Sequence, residues 1–110
     1  MAGKTPKELI EEKILPWLQS RPDLTHEIGG AIQFDITGPN GGHWTVDCSA
    51  SPVRITPAET PSPSCRIEIS DNDFVRLISG ELSPQIAFVT GKLRVQGDLS
   101  IALKFGKLLQ

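Results

Sequence analysis

Four short segments of this 110-residue chain alternate between apolar and polar residues, and this alternation constrains the fold more than any other feature. The pattern occurs in "AIQFDIT" (31–37), "HWTVDCS" (43–49) and "CRIEIS" (65–70), and a shorter third strand is predicted at 53–56. "GPNGG" (38–42) has the composition of a turn, so the first two strands should form a hairpin. Each strand presents apolar residues on one side only, which is typical of an antiparallel sheet with one face covered by helices.

The first twenty residues predict an interrupted helix. Thr5 can cap it, Pro6 suits its first turn, and Glu8 stands three residues after the cap, as in a capping box. Apolar residues then recur at helical spacing. Pro16 lacks a backbone N–H and its ring clashes with the preceding turn, so we expect the helix to kink or end near Leu15.

Two more helices are predicted after the fourth strand. Ser70 is a suitable N-cap followed by acidic residues, which favour the positive end of a helix, and Gly80 should end this helix. Ser83 and Pro84 begin a short helix that extends through Val89. Both helices are candidates for covering the apolar side of the sheet.

The chain then continues into a fifth strand and a strongly apolar helix. Leu93 and Val95 alternate with polar residues in the strand, and Asp98 is placed to cap the helix. A helix that lies on a sheet needs an apolar stripe only a little over about 100° wide. Here two stripes are predicted, and the second should pack on other helices or line a cavity or partner surface. The stripes are Leu99, Ala102, Leu103 and Gly106, and Ile101, Phe105 and Leu108, with Leu109 between them.

Composition excludes several classes of protein. The length suits one domain, residues 1–110. The formal charge is −2 with acids and bases interspersed, so nucleic acid is not an expected partner. No apolar run is long enough to span a membrane, and the N-terminus lacks the apolar region of a signal peptide. Cys48 and Cys65 lie outside any CxxC motif, and a reducing, cytoplasmic location suits them best.

The sequence contains no recognisable catalytic, metal-binding or cofactor motif. His26 and His43 have no cysteine or carboxylate at ligand spacing, so no metal site is predicted. Asp35 and Asp47 can lie near each other on the polar side of the hairpin, but solvated surface is the favoured interpretation. We therefore expect no enzyme activity and no cofactor.

Two stretches resemble a known family. "EIGGAIQFDITG" and, without a break, "CRIEISDNDFVRLISGELSPQIAFVTGKLRVQGDLSIALKF" are similar to the sterol-carrier-protein, or non-specific lipid-transfer, lipid-binding domain. The similarity extends over roughly residues 26–109, while the proline-rich region 49–64 matches little. The resemblance implies an α+β fold in which a five-stranded, mostly antiparallel twisted sheet is covered on one face by helices. It also places the first strand between those of Cys48 and Cys65, which makes a disulfide improbable.

The resemblance further implies a hydrophobic tunnel between sheet and helices that holds fatty acyl chains, acyl-CoA, sterols or similar lipids. Each methylene transferred from water into a dry site contributes roughly 0.8 kcal/mol, so such binding needs no specific polar contact. The predicted lining, led by Phe88, Leu103 and Phe105, comprises Phe34, Ile36, Trp44, Val46, Phe74, Leu77, Ile78, Ile86, Phe88, Leu99, Ile101, Ala102, Leu103 and Phe105. For each of these residues, a plain core role is the alternative.

The expected partner is a lipid or another long-chain apolar ligand, and three further points stay open. The chain ends in Leu-Leu-Gln rather than a peroxisomal Ser-Lys-Leu-type signal, which favours the cytoplasm, and it stops soon after the last helix, which could leave apolar surface for a partner. A transient membrane contact is compatible with lipid transfer. The same apolar helical face could instead form a homodimer interface, or it could bind an enzyme and present an apolar substrate to that enzyme's active site.

Overall fold

The computed structural model describes residues 5–50 and 53–108, and its five strands form one sheet in the order β3-β2-β1-β4-β5. The strands are β1 Ala31–Thr37, β2 Gly42–Asp47, β3 Arg54–Thr56, β4 Cys65–Ser70 and β5 Leu93–Gly97. The helices are α1 Pro6–Leu9, α2 Leu15–Gln19, α3 Pro22–Ile28, α4 Asp71–Ile78, α5 Pro84–Val89 and α6 Leu99–Leu108, with a π-helical turn at Ile10–Ile14. All five predicted strands are confirmed.

The sheet is mixed, with one parallel pair at its centre. β1 pairs with β4 in parallel, and the other three neighbouring pairs are antiparallel. Phe34 lies opposite Trp44 on one side and Ile67 on the other, so the apolar residues of neighbouring strands share a face. The prediction of a mostly antiparallel sheet, with β1 between the strands that carry Cys48 and Cys65, is confirmed.

Helices cover the apolar face, as expected for an α+β fold. α4 and α6 pack on the central strands, α1 packs on α4, and α3 packs on α6. Leu9, Ile14 and Leu18 extend the buried core from the first helical segment onto this layer. We call this side of the sheet the helix-covered face, and the side that bears Gln33, Asp35, His43, Thr45 and Arg66 the polar face.

The predicted N-caps are present in the structure. Thr5 and Glu8 form the capping box, in which the Glu8 N–H donates to Thr5 Oγ1 at 3.3 Å and the Thr5 N–H donates to Glu8 Oε1 at 3.2 Å. Ser70 Oγ accepts from the Asp73 N–H at 3.2 Å. Asp98 Oδ1 accepts from the Ser100 N–H at 3.0 Å and satisfies a donor at the start of α6.

Pro16 does not end the first helical segment, which continues to Gln19. The π-helical turn ends at Ile14, two residues before the proline, and at its end the Leu15 N–H donates to the Ile10 carbonyl, five residues back. This wider turn shifts the carbonyls ahead of Pro16 out of α-helical positions, which relieves the clash with its ring. The expected interruption is therefore a widened turn rather than a helix end.

Helix α3 was not expected from the apolar pattern. Pro22 occupies its first turn, and Gly29, with φ of 64°, closes it in the left-handed conformation that favours glycine. Only Leu24 and Ile28 supply apolar surface, so the periodic signal is weak. The signals in the sequence that could have predicted this helix were Pro22 at its start and Gly29 at its end.

The polar face is not fully open, which corrects the expectation of a sheet covered on one side only. The proline-rich loop after β3 folds back over it, and Thr45 Oγ1 donates to the Ala58 carbonyl at 2.6 Å. The Thr60 N–H donates to Gln33 Oε1 at 3.0 Å, and Gln33 is 0% exposed. These two hydrogen bonds attach the loop to the polar face.

Candidate ligand-binding site

The helix-covered face centres on three aromatic rings from three elements. The ring of Phe34 in β1 lies 6.2 Å from that of Phe74 in α4, at an interplanar angle of 73°. It lies 5.2 Å from the ring of Phe105 in α6, at 58°. Such edge-on and tilted pairs are the favourable arrangements for aromatic rings, so this cluster ties the two helices to the central strand.

An apolar cavity of about 40 Å³ lies beside this cluster, between the sheet and α4, α6 and the start of α5. Among the described residues, no titratable side chain lines it, so these residues offer contact to hydrocarbon and no means of binding a charge. The lining residues are Phe34, Ile67, Ile69, Phe74, Leu77, Ile78, Pro84, Leu93, Ala102 and Phe105.

The structure brings six of the fourteen predicted lining residues to this cavity. These are Phe34, Phe74, Leu77, Ile78, Ala102 and Phe105. Four others are buried in the core without lining it, namely Ile36, Trp44, Val46 and Ile101. The remaining four are exposed, namely Ile86, Phe88, Leu99 and Leu103. Ligand contact by any of the fourteen stays a prediction.

Sequence reasoning missed four lining residues. Ile67 and Ile69 alternate on β4, which pairs with β1 at the centre of the sheet, and Leu93 alternates on β5. Their alternation was visible in the sequence, but the pairing of β4 with β1 was needed to place them beside Phe34. Pro84 had been interpreted only as a helix start.

The two stripes of α6 have different environments. Ile101 and Phe105 are buried, so the second stripe faces the core. Leu99 and Leu103, from the first stripe, are 45% and 61% exposed, so the expectation that both stripes are covered is not met. The burial of Gly106 and Leu108, and all of Leu109, lie outside what the structure describes. Helix geometry predicted the stripes but not which of them faces inward.

Helix α5 is the most loosely packed of the covering helices. Only Ala87 is buried, while Ile86, Phe88 and Val89 are 58%, 46% and 83% exposed. The helix packs mainly on β5 at the edge of the sheet. It therefore presents an apolar surface to solvent next to the cavity lining at Pro84.

A larger groove, of about 670 Å³, lies between α2, α3 and the end of β2. Gln19, Asp23 and His26 contribute to its lining, and it is open to solvent. It is less suited to a hydrocarbon than the smaller cavity, because polar side chains line much of it.

On the polar face, Asp35 lies at the centre of a hydrogen-bonded group. Its Oδ1 accepts from Gln33 Nε2 at 2.8 Å and lies 2.7 Å from His43 Nδ1, and its Oδ2 lies 3.6 Å from Arg66 Nε. Partial burial alone would raise the pKa of Asp35, but Gln33, His43 and Arg66 together lower it below its usual value.

Two expectations for this face are corrected by the strand register. Asp35 lies opposite His43, whereas Asp47 lies opposite Ala31, so the two carboxylates are not neighbours. The hydroxyl and backbone N–H of Ser49 bind Asp47 and lower its pKa. His43, for which no cysteine or carboxylate at ligand spacing was expected, is in contact with a carboxylate in space.

Both cysteines are free and buried beneath the helix-covered face. Burial raises the pKa of the Cys48 thiol to about 11, with a further contribution from the charge of Asp47. Burial likewise raises the pKa of Cys65 to about 11. The thiols are therefore protonated at neutral pH and behave as small apolar groups.

Among the described residues, none of the helices has both the length and the apolar character needed to cross a bilayer.

Comparison with known proteins identifies relatives of this chain. It is 34% identical over 89 residues to hydroxysteroid dehydrogenase-like protein 2 of Bos taurus, an alignment that covers 79% of this chain and 21% of that protein. It is also 34% identical over 85 residues to sterol carrier protein 2 of Homo sapiens, covering 74% of this chain and 16% of that protein. The alignments thus span about a fifth or less of these relatives, and the dehydrogenase-like name belongs to a much longer protein.

The fold has a close counterpart among solved structures. The sterol carrier protein domain 2 of Helicoverpa armigera in solution superposes with a TM-score of 0.72 at 29% identity, covering 99% of this chain and 92% of that one. The sequence profile of the SCP-2 sterol transfer family matches residues 12–110. With this match and the shared architecture, the chain belongs to the SCP-2 sterol transfer family.

Proposed function

We propose that this protein binds the hydrocarbon part of a lipid, such as a fatty acyl chain, an acyl-CoA or a sterol, between the sheet and helices α4 and α6. Membership of the SCP-2 sterol transfer family supports lipid binding or transfer in general. The observation that carries the proposal is the cavity beside Phe34 and Phe105, where the lining residues that the structure describes include no titratable side chain. Such a lining favours hydrocarbon over any charged ligand.

Binding a whole lipid tail requires this cavity to enlarge. Its volume of about 40 Å³ is far below the roughly 300–1,000 Å³ of typical ligand pockets. A twelve-carbon tail needs several times the volume of this cavity, and burying it would contribute on the order of 10 kcal/mol before association costs. This gain can offset the displacement of a weakly held element.

Helix α5 is the element that moves at the lowest cost. Ala87 is its one buried apolar residue, so moving it away from the sheet exposes little new apolar surface. Its first residue, Pro84, lines the cavity, so outward movement extends the cavity toward solvent. A tunnel between sheet and helices would form in this way.

The exposed side of α5 also suits a transient contact with a membrane. Ile86, Phe88 and Val89 are exposed, and no acidic residue occurs between Glu81 and Asp98, whereas Lys92 and Arg94 follow the helix closely. An apolar surface flanked by basic residues is attracted to anionic lipid surfaces. Lipid would then enter next to the surface that contacts the membrane.

Displacement of a fluorescent fatty acid tests the lipid site, and a matched pair of variants locates it. Ala102→Trp places a large ring against the cavity lining, so the affinity for the fatty acid should fall at least about tenfold. Ser100→Trp introduces the same residue on an exposed position of α6 and should leave the affinity unchanged. If circular dichroism shows that both variants are folded, equal affinity of the two variants for the fatty acid would contradict the proposed site.

Vesicle flotation tests the membrane contact separately. The variant Val89→Gln should bind less to vesicles that contain phosphatidylserine, while soluble fatty-acid binding is retained, because Val89 is 83% exposed and is not a predicted lining residue. Thr56→Gln, at an exposed position of β3, is the control and should float like the parent protein. Unchanged flotation of the α5 variant would exclude this surface.

Sedimentation of the apo protein separates lipid binding from the alternative role as an interaction module. Purification without lipid and failure to bind the fluorescent fatty acid at micromolar concentration would refute the lipid proposal. A dimer that lipid leaves unchanged would then assign the exposed apolar side chains of α5 and α6 to a protein interface. A monomer that binds lipid would exclude that assignment.

A further inference from the structure

Three side chains with metal-binding chemistry meet on the polar face, on the opposite side of the sheet from the cavity. His43 Nδ1 lies 2.7 Å from Asp35 Oδ1 and 3.8 Å from Glu59 Oε1. One ligand-type atom from each of the three residues lies within 4.8 Å of the other two. They come from β1, β2 and the proline-rich loop, so only the folded chain brings them together.

We propose that Asp35, His43 and Glu59 form a binding site for a divalent transition-metal ion of the zinc class. An imidazole with two carboxylates suits zinc and its neighbours, whereas magnesium and calcium prefer oxygen ligands alone. The site has three protein ligands, which leaves a fourth tetrahedral position for water.

The two separations that involve His43 fit such an ion after small movements. Zinc bonds of 2.0–2.2 Å to nitrogen and oxygen place tetrahedral ligands about 3.3 Å apart. The 2.7 Å separation of His43 and Asp35 would widen, and the 3.8 Å separation of His43 and Glu59 would narrow, each by about half an ångström. The side chains of His43 and Glu59 are more than half exposed, so they have room for this adjustment.

Hydrogen bonds already hold two of the three ligand positions in place. Gln33, which is fully buried, donates to Asp35 Oδ1 through Nε2 and accepts the Thr60 N–H through Oε1. The same amide therefore orients the Asp35 carboxylate and fixes the backbone next to Glu59. Outer contacts of this kind commonly orient metal ligands.

The surrounding charges are compatible with a divalent ion. Arg66 approaches Asp35 through the other carboxylate oxygen, at 3.6 Å, which leaves Oδ1 toward His43. Two carboxylates and one guanidinium carry a net charge of −1, which a divalent ion converts to +1. Glu68 lies next to Asp35 in the register and pairs with Arg94 at 3.9 Å, so it adds little to the field at the site.

Calorimetric titration of the full chain with zinc chloride, without a histidine tag, tests this proposal. We expect one zinc per chain, and His43→Ala should weaken binding at least about tenfold, since loss of outer contacts alone has that effect. Glu59→Gln should also weaken zinc binding. Because the Glu59 side chain is exposed, this substitution should leave the fold intact, so misfolding would not explain the loss. His26→Ala removes the other histidine, on α3, and should change nothing.

Cobalt substitution identifies the ligand type. Co²⁺ should give the visible absorption of a tetrahedral site without the near-ultraviolet band of a cobalt–thiolate bond. Failure to bind zinc, equal loss in His26→Ala and His43→Ala, or a thiolate band from Cys48 or Cys65 would each overturn the assignment.

Discussion

The helix-covered face and the polar face are built on the same five strands, yet different forces hold them. On the first, aromatic and aliphatic side chains pack around Phe34. On the second, buried polar groups such as Gln33 and Thr45 attach the proline-rich loop through directional hydrogen bonds. Apolar packing tolerates rearrangement, whereas a buried hydrogen bond loses its partner when it moves. Because of this difference, the helix-covered face can rearrange around a ligand, whereas the polar face stays in a fixed arrangement.

Truncation at Phe34 should have the largest effect, because it removes the ring shared by α4 and α6. We expect Phe34→Ala to lower the free energy of unfolding by about 3–5 kcal/mol. Urea denaturation measures this loss. A loss below about 1 kcal/mol would mean that the helix-covered face is not the principal source of stability.

Truncation at the neighbouring Gln33 tests the polar face. Gln33→Ala should cost about 1–3 kcal/mol, because the Thr60 N–H loses its acceptor beneath the loop. Gln96→Ala is the control, since Gln96 is exposed on the same face, and it should change stability by no more than about 0.5 kcal/mol. Equal effects of the two glutamine variants would show that the loop is not held through Gln33.

Alkaline pH should weaken the helix-covered face through its cysteines. Burial raises the pKa of Cys48 and Cys65 in the folded state to about 11, from 9.0 for an exposed thiol. Between these values the unfolded chain loses the protons first, so the free energy of unfolding falls as pH rises from 9 to 11. The variant Cys48→Ala with Cys65→Ala should show a flatter dependence over this range. An identical slope would show that the thiols are not the cause.

The smallest effect is expected on the outer stripe of α6. Leu103→Ala should change stability by no more than about 0.5 kcal/mol, because Leu103 is 61% exposed. Ile101→Ala, two residues earlier on the buried side, should cost about 2–4 kcal/mol. Thermal unfolding of both variants decides which stripe holds the helix. A large effect at Leu103 would indicate that this residue is covered in solution.

The strands were predictable because alternation is local and needs no knowledge of partners. Pattern and family resemblance together selected Phe34 and Phe105, which line the cavity, but neither indicated that Leu103 points outward. The contact of His43 with Asp35 depends on strand register, and that with Glu59 on the path of a loop. Neither path nor register follows from residue spacing. Pro16 shows a further limit. The apolar spacing favours a continuous helix and the proline disfavours one, and the structure accommodates both through a π-helical turn that the sequence did not predict.

The parallel pairing of β1 with β4 has a consequence for how the cavity is assembled. β2, β3 and the proline-rich loop lie between these two strands in the chain, so the centre of the sheet joins two halves of the sequence. Phe34 belongs to the first half, and Phe74 and Phe105 belong to the second. A chain cleaved in the proline-rich loop would therefore hold an incomplete cavity wall on each fragment. The cavity would form only when the two fragments reassociate.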